Sequence, residues 1–325
     1  MSEFDLINHF FKTSALPRDD VLQGVGDDCA LLAPPPGKQL AISTDTLISG
    51  VHFPQSTLAA DIGYKSLAVN LSDLAAMGAS PAWASLAISL PEADQSWLAN
   101  FMQGFNELAR TYNVSLVGGD TTCGPLTITL NIVGFVDEKK ALKRNRAKAG
   151  DLIFMTGTLG DAVTGLNAIL NKTPLDKNLQ YCVQRLNRPE PQINAGLLLT
   201  RFRVAAIDIS DGLLTDLNHI CTASKTGADI FLNQLPLSDS LKQYYAQGDH
   251  QPDWQTISCG GDDYELCFSC DAQSADEMLK LFKAQQIKVT QIGHMTSGMK
   301  INCIDAEGKV RNLQNRGYNH FNEKQ

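Results

Sequence analysis

The sequence has no surplus of basic residues. Lys and Arg number 27 against 35 Asp and Glu, a net charge of −8 over 325 residues. A surface for nucleic acid or an anionic membrane needs a basic face, so this balance argues against both as partners. No apolar run approaches the roughly 18 residues a membrane span requires. Met1-Ser2-Glu3-Phe4-Asp5-Leu6-Ile7 lacks the basic and apolar regions of a signal peptide, and a cytoplasmic protein is expected. Paired cysteines are scarce as well. Among eight cysteines the sole C-x-x-C is Cys267-Phe-Ser-Cys270. Cys259, Cys303 and His294 make a poor second half for a zinc site, so buried reduced thiols are expected.

Several familiar motifs are missing too. Gly119-Asp-Thr-Thr-Cys-Gly124 continues with Pro125 instead of Lys, which excludes a Walker loop. Gly24-Val-Gly26-Asp-Asp-Cys29 lacks the third glycine of a dinucleotide fingerprint. Asp208 to His219 resembles a calcium loop only at its start: Gly212 falls one place early and His219 stands where Glu belongs. There is no nucleophile elbow and no H-E-x-x-H.

What is present is an ordinary globular composition, 43% hydrophobic and 19% charged. The length suggests two domains. Leu40–Asp45, Trp83–Leu90, Val114–Asp120 and Leu126–Val136 read as strands, and Ala59–Met77 and Asp94–Tyr112 as helices. The charged, Gly-terminated stretch from Asp137 to Gly150 reads as a boundary, giving domains 1–148 and 149–325. Beyond it, Leu152–Thr156, Ala205–Asp208, Ala228–Leu232 and Tyr264–Cys270 read as strands, and Ala162–Leu170 and Asp276–Ala284 as helices. Alternating strands and helices make a two-domain α/β (α+β) protein.

One feature recurs: a strand that delivers an aspartate at its tip. It occurs at Gly26-Asp-Asp28, Ser43-Thr-Asp45, Gly118-Gly-Asp120, Ile207-Asp-Ile-Ser-Asp211 and Gly260-Gly-Asp-Asp263. Any single case reads equally well as a turn or a helix N-cap, and Asp161 is assigned to an N-cap. Five cases together suggest acids converging in a crevice at the strand ends. Asp73 is a sixth. In an otherwise apolar helix, Ser66, Asn70 and Asp73 form one polar stripe, and a buried carboxylate needs a cation or strong donors opposite it. A set of carboxylates suits Mg²⁺, which lets an acidic protein hold polyphosphate.

At these residues the sequence resembles the thiamine-monophosphate kinases, members of the ATP-binding superfamily that includes aminoimidazole ribonucleotide synthetase. The resemblance rests on Gly26-Asp-Asp-Cys-Ala30, Ser43-Thr-Asp-Thr46, Gly50-Val-His-Phe53, Ala68-Val-Asn-Leu-Ser-Asp-Leu-Ala-Ala-Met-Gly78, Gly118-Gly-Asp-Thr121, Gly157-Thr-Leu-Gly-Asp161, Ile207-Asp-Ile-Ser-Asp-Gly-Leu213 and Gly260-Gly-Asp-Asp-Tyr-Glu-Leu266. It implies transfer of the γ-phosphoryl of ATP to thiamine monophosphate. It implies Mg²⁺ ligands at Asp28, Ser43, Thr44, Asp45, Asp73, Asp120, Asp208 and Asp211. It places nucleotide contacts at Gly119, Asp120, Arg144 and Ser210, and substrate contacts at His52, Asp262, Tyr318 and Phe321. It further implies a homodimer, with the N-terminal sheets pairing and the nucleotide near that interface. Two positions depart from the family pattern: Asp262 replaces the usual Glu, and Asn319 replaces an acid. Alternative readings are another ATP-dependent synthetase of the superfamily, or a non-catalytic nucleotide or cation binder.

Overall fold

The protein is described by a computed structural model that covers residues 3–248 and 251–314. The chain divides into two compact units. The first comprises the residues up to Leu74 together with Ala79–Ala141; the second comprises Ala75–Gly78 and the chain from Leu142 onward.

The first unit runs α1 (Glu3–Leu6), β1 (Val21–Gln23), β2 (Leu31–Leu32), β3 (Lys38–Ile48), α2 (Ala59–Met77), β4 (Ser80–Leu90), α3 (Gln95–Thr111), β5 (Ser115–Cys123) and β6 (Thr127–Asp137). β1 and β2 form a small ribbon, and the other strands make one sheet in the order β3-β6-β4-β5. β6 is antiparallel to both neighbours, whereas β5 runs parallel to β4 after the α3 crossover. α3 starts where the Asp94 carboxylate accepts the N–H groups of Ser96 and Trp97. β3 alternates cleanly: Ala41 and Leu47 are buried, whereas Leu40, Ile42 and Ile48 are exposed.

The second unit runs β7 (Leu152–Thr156), α4 (Asp161–Leu170), α5 (Lys177–Asn187), α6 (Ile193–Leu199), β8 (Val204–Asp208), α7 (Leu213–Ser224), β9 (Gly227–Phe231), α8 (Asp239–Gln247), α9 (Trp254–Cys259), β10 (Leu266–Cys270), α10 (Ala275–Ala284), β11 (Val289–Thr296), β12 (Ile301–Ile304) and β13 (Val310–Arg311). Its sheet has the order β13-β12-β9-β11-β7-β10-β8. β7 and β10, inside the sheet, are buried along nearly their whole length, as strands covered on both faces must be, and the edge strand β8 is buried throughout as well. Ile153, Met155, Ile207, Leu217, Ile230 and Cys267 anchor the core.

Two features differ from the sequence expectation. Asp45 and Asp120 lie inside β3 and β5, because pairing with β6 and β4 carries each strand three residues past its acid. β10 begins at Leu266, since Asp262 and Tyr264 adopt φ of +69° and +51°, which interrupts the ladder. Cys267 and Cys270 are buried three apart on β10, hence on opposite faces and unable to share one ion.

Candidate functional site

In the first unit the polar stripe of α2 meets β3. Asp73 accepts the Ser43 hydroxyl. Burial, and then the Asp73 charge, pushes the Asp45 carboxyl up to about 7. Thr44, between them, faces the other way and its hydroxyl accepts Asn131 Nδ2 at 2.7 Å. Asp28, Gly119 and Asp120 line a cavity of about 760 Å³, together with Lys12 and Asp27. The Asp27 carboxylate accepts the Asp28 N–H at 2.8 Å, a loop-bonding role that leaves the two carboxylates with different duties.

His52 sits half-buried in the turn between β3 and α2. Its Nδ1 accepts the Ile48 N–H at 3.0 Å, so the neutral ring carries its proton on Nε2. The buried Lys65 donates to the His52 carbonyl at 3.4 Å.

In the second unit Asp208 closes β8 and is buried. Ser210 and Asp211 form the turn before α7, and Gly212 at φ +113° makes that turn possible. One oxygen of Asp216 accepts three successive N–H groups, from Ser210 at 3.0 Å and from Asp211 and Gly212 at 3.1 Å each. Burial, and next the Asp211 charge, raises the Asp216 carboxyl to about 7. Asp262 donates its N–H to the Ser210 carbonyl at 2.9 Å, and Tyr264 donates to Ile209 at 2.8 Å. Arg144 belongs to this unit, exposed in a single turn over Arg144–Arg146.

A buried polar network lies beneath the Asp262 loop. Both Asp263 oxygens accept the Gly160 N–H at 3.1 Å, and burial holds this carboxyl well above its usual range. Glu265 accepts Arg185 at 2.8 Å and the Thr156 hydroxyl at 2.7 Å; burial raises its carboxyl to about 7, and Arg185 limits the rise. Asp161 is the first residue of α4 and not its N-cap, which is Gly160. Its carboxylate turns inward to accept the hydroxyls of Ser238 at 2.5 Å and Thr158 at 2.7 Å.

The structure thus brings together Ser43, Asp45 and Asp73 in one unit, and Ser210, Asp211 and Asp262 in the other. Among the described residues, no three His, Cys, Asp or Glu side chains gather as a ready metal cage. Within the first unit, strand alternation turns Thr44 away from Ser43 and Asp45. Tyr318, Phe321 and Asn319 lie outside the described residues. Asp216, Arg185 and Lys65 escape the sequence reading; an acid in the first turn of α7 was the one available sign for Asp216.

Residues 26–136 match the family described as AIR synthase related protein, N-terminal domain, and residues 148–305 match its C-terminal domain. The thiamine-monophosphate kinase of Escherichia coli K12 is 44% identical over 98% of each chain. The crystal structure of thiamine-monophosphate kinase from Stenotrophomonas maltophilia K279a superposes with a TM-score of 0.87 at 42% identity, covering 96% of this chain and 98% of that one. A structure of AaThiL complexed with AMPPCP and TMP has a TM-score of 0.79 at 31% identity, covering 98% and 97%. With both domains matched in order and identity sustained over nearly the whole length, this chain belongs to the thiamine-monophosphate kinase family.

Proposed function

We propose that this protein transfers the γ-phosphoryl group of ATP to thiamine monophosphate, giving thiamine diphosphate and ADP. The observation that carries the reading is the likeness, over 98% of this chain, to a protein solved with AMPPCP and TMP. The acidic balance of the chain and the carboxylate-bearing turns are consistent with it. Among the described residues no helix is long and apolar enough to cross a membrane, and we place the reaction in the cytoplasm.

Mg²⁺ fits the donor set. Ser43, Asp45 and Asp73 offer only oxygens, and a carboxyl raised to about 7 beside a second carboxylate is stabilised by a hard cation. We assign Mg²⁺ to these three residues with Asp28, Thr44, Asp120, Asp208 and Asp211. Held there, the ions would supply positive charge against the phosphates.

The chain's own residues then position the reactants. The acceptor is a phosphate monoester whose second pKa is about 6, so it is chiefly a dianion at neutral pH and needs no general base. Gly119, Asp120, Arg144 and Ser210 hold the nucleotide, and the Arg144 guanidinium orients phosphate oxygens. His52 presents Nε2–H as a donor to the acceptor, and Asp262 holds its other end. The acceptor oxygen attacks in line and the phosphoryl group passes directly, without a covalent enzyme intermediate. A second copy of the chain covers the exposed edge strand β3 in the working dimer.

Purified protein with ATP, Mg²⁺ and thiamine monophosphate should yield thiamine diphosphate by chromatography, and thiamine in its place should yield none. ATP hydrolysis without diphosphate would move the substrate assignment to another reaction of the superfamily. A trapped phospho-enzyme would refute direct transfer.

A further inference from the structure

In the second unit, two loops with different assigned tasks share one backbone seam. The 208–212 turn carries Ser210 and Asp211, assigned to nucleotide and metal. The 260–264 loop carries Asp262, assigned to the phosphate acceptor. Asp262 and Tyr264 both hold left-handed φ values, +69° and +51°, which non-glycine residues adopt only when their surroundings impose it. Here the imposing contacts are the bonds from their N–H groups to the carbonyls of Ser210 and Ile209, 2.9 and 2.8 Å long. The seam admits no side chain at Gly261, where a Cβ would stand 2.2 Å from the Ser210 oxygen.

The tip of the Asp262 loop is therefore tied to the Ser210 carbonyl, while Asp263 and Glu265 hold its far side through Gly160 and Ile209. That carbonyl belongs to a turn whose three N–H groups converge on a single buried oxygen of Asp216. A helix cap needs to satisfy only the orphan donors of its own first turn. Asp216 reaches two residues further back, to Asp211 and Ser210, and so fixes the peptide planes on which both loops depend.

We infer that Asp216 is a positioning residue of the active site, one carboxylate that sets the nucleotide turn and, through the Ser210 carbonyl, the acceptor loop. The inference rests on the kinase reading for the identity of the two ligands. Its distinguishing consequence is joint: loosening Asp216 should weaken nucleotide and acceptor together, although it touches neither.

The test compares wild type with D216A, D216N and G261A. Calorimetry would report the Kd for AMPPCP with Mg²⁺, steady-state assays the KM for thiamine monophosphate, and circular dichroism the melting temperature. D216A should raise both constants by at least about tenfold, because three bonds to one buried carboxyl oxygen are lost. D216N keeps an amide oxygen that can accept the same bonds and should restore both to within about threefold. G261A, which pushes the loop off Ser210 while leaving the Asp216 bonds in place, should raise the KM for thiamine monophosphate and spare the AMPPCP Kd. If D216A melts earlier yet keeps both constants, Asp216 is a helix cap and the inference falls. It also falls if D216N is as weak as D216A, or, should D216A not fold, if G261A binds thiamine monophosphate like wild type. Wild type that makes no thiamine diphosphate would refute the kinase reading instead, and AMPPCP binding to D216A would still decide the role of Asp216.

Discussion

At Asp45, burial and the neighbouring Asp73 charge move the carboxyl from 3.8 to about 7. A folded-state value above the unfolded one means the folded protein holds the proton more tightly. The stability this contributes is complete below about pH 4 and is lost as pH rises through about 7. Without divalent ions, the melting temperature should therefore fall between about pH 5 and about pH 8, and Asp45→Asn should flatten part of that fall. Mg²⁺ must compete with this proton, so its stabilising shift should be larger at about pH 8 than at about pH 6 in wild type. Equal shifts at both would remove Asp45 from the ligand set. Asp73→Asn should lower turnover by about a hundredfold or more while the fold persists, since a site built on charge neutralisation loses one of its carboxylates. Wild-type turnover would refute that assignment. At this scale the sequence marks Asp73 clearly, because a carboxylate in an apolar helix has few reasons to be there. It does not mark Asp216 as a clamp, because the bonds that matter are to backbone N–H groups whose directions depend on the folded turn.

The first unit depends on how closely α2 and α3 cross. A Cβ at Gly104 would lie 1.7 Å from the Ala60 carbonyl oxygen, and one at Gly63 would lie 1.9 Å from that of Phe101. Each glycine admits the other helix's backbone, a reciprocal contact that no larger residue permits. Gly104→Ala should thus destabilise the protein by about 1–3 kcal/mol, as overpacking does, read as a lower denaturation midpoint. An unchanged midpoint would mean the helices can separate freely. Most strands and long helices were visible as elements because their hydrophobic periods are strong: β7 and α2 keep the bounds that the pattern predicts. Elements whose start is set by a distant partner were less visible. The beginning of β10 depends on the seam to Ile209 and Ser210, whereas α5, which brings Arg185 to Glu265, opens on an Asp176 cap that the sequence reading passed over.

On the scale of the whole molecule, β3 is an open sheet edge with Leu40, Ile42 and Ile48 exposed at 46, 61 and 39%. Apolar side chains along an unpaired edge invite a partner strand or face. We expect wild type to sediment as a dimer and Ile42→Lys to shift it toward monomer; a wild-type monomer would overturn the dimer reading. The sequence pattern shows β3 as a strand, but not as an edge, because strand order is a property of the assembled sheet. Strand order also has a consequence in time. The sheet of the first unit uses strands that end by Asp137, so its pairings can form once that stretch of chain exists. In the second, β10 lies between β7 and β8, and β11 joins β7 to β9. On the ribosome β7, β8 and β9 must therefore wait, edges open, until residues beyond 266 have been added. This places the interval of greatest exposure to aggregation or chaperone capture late in synthesis, and in the C-terminal half.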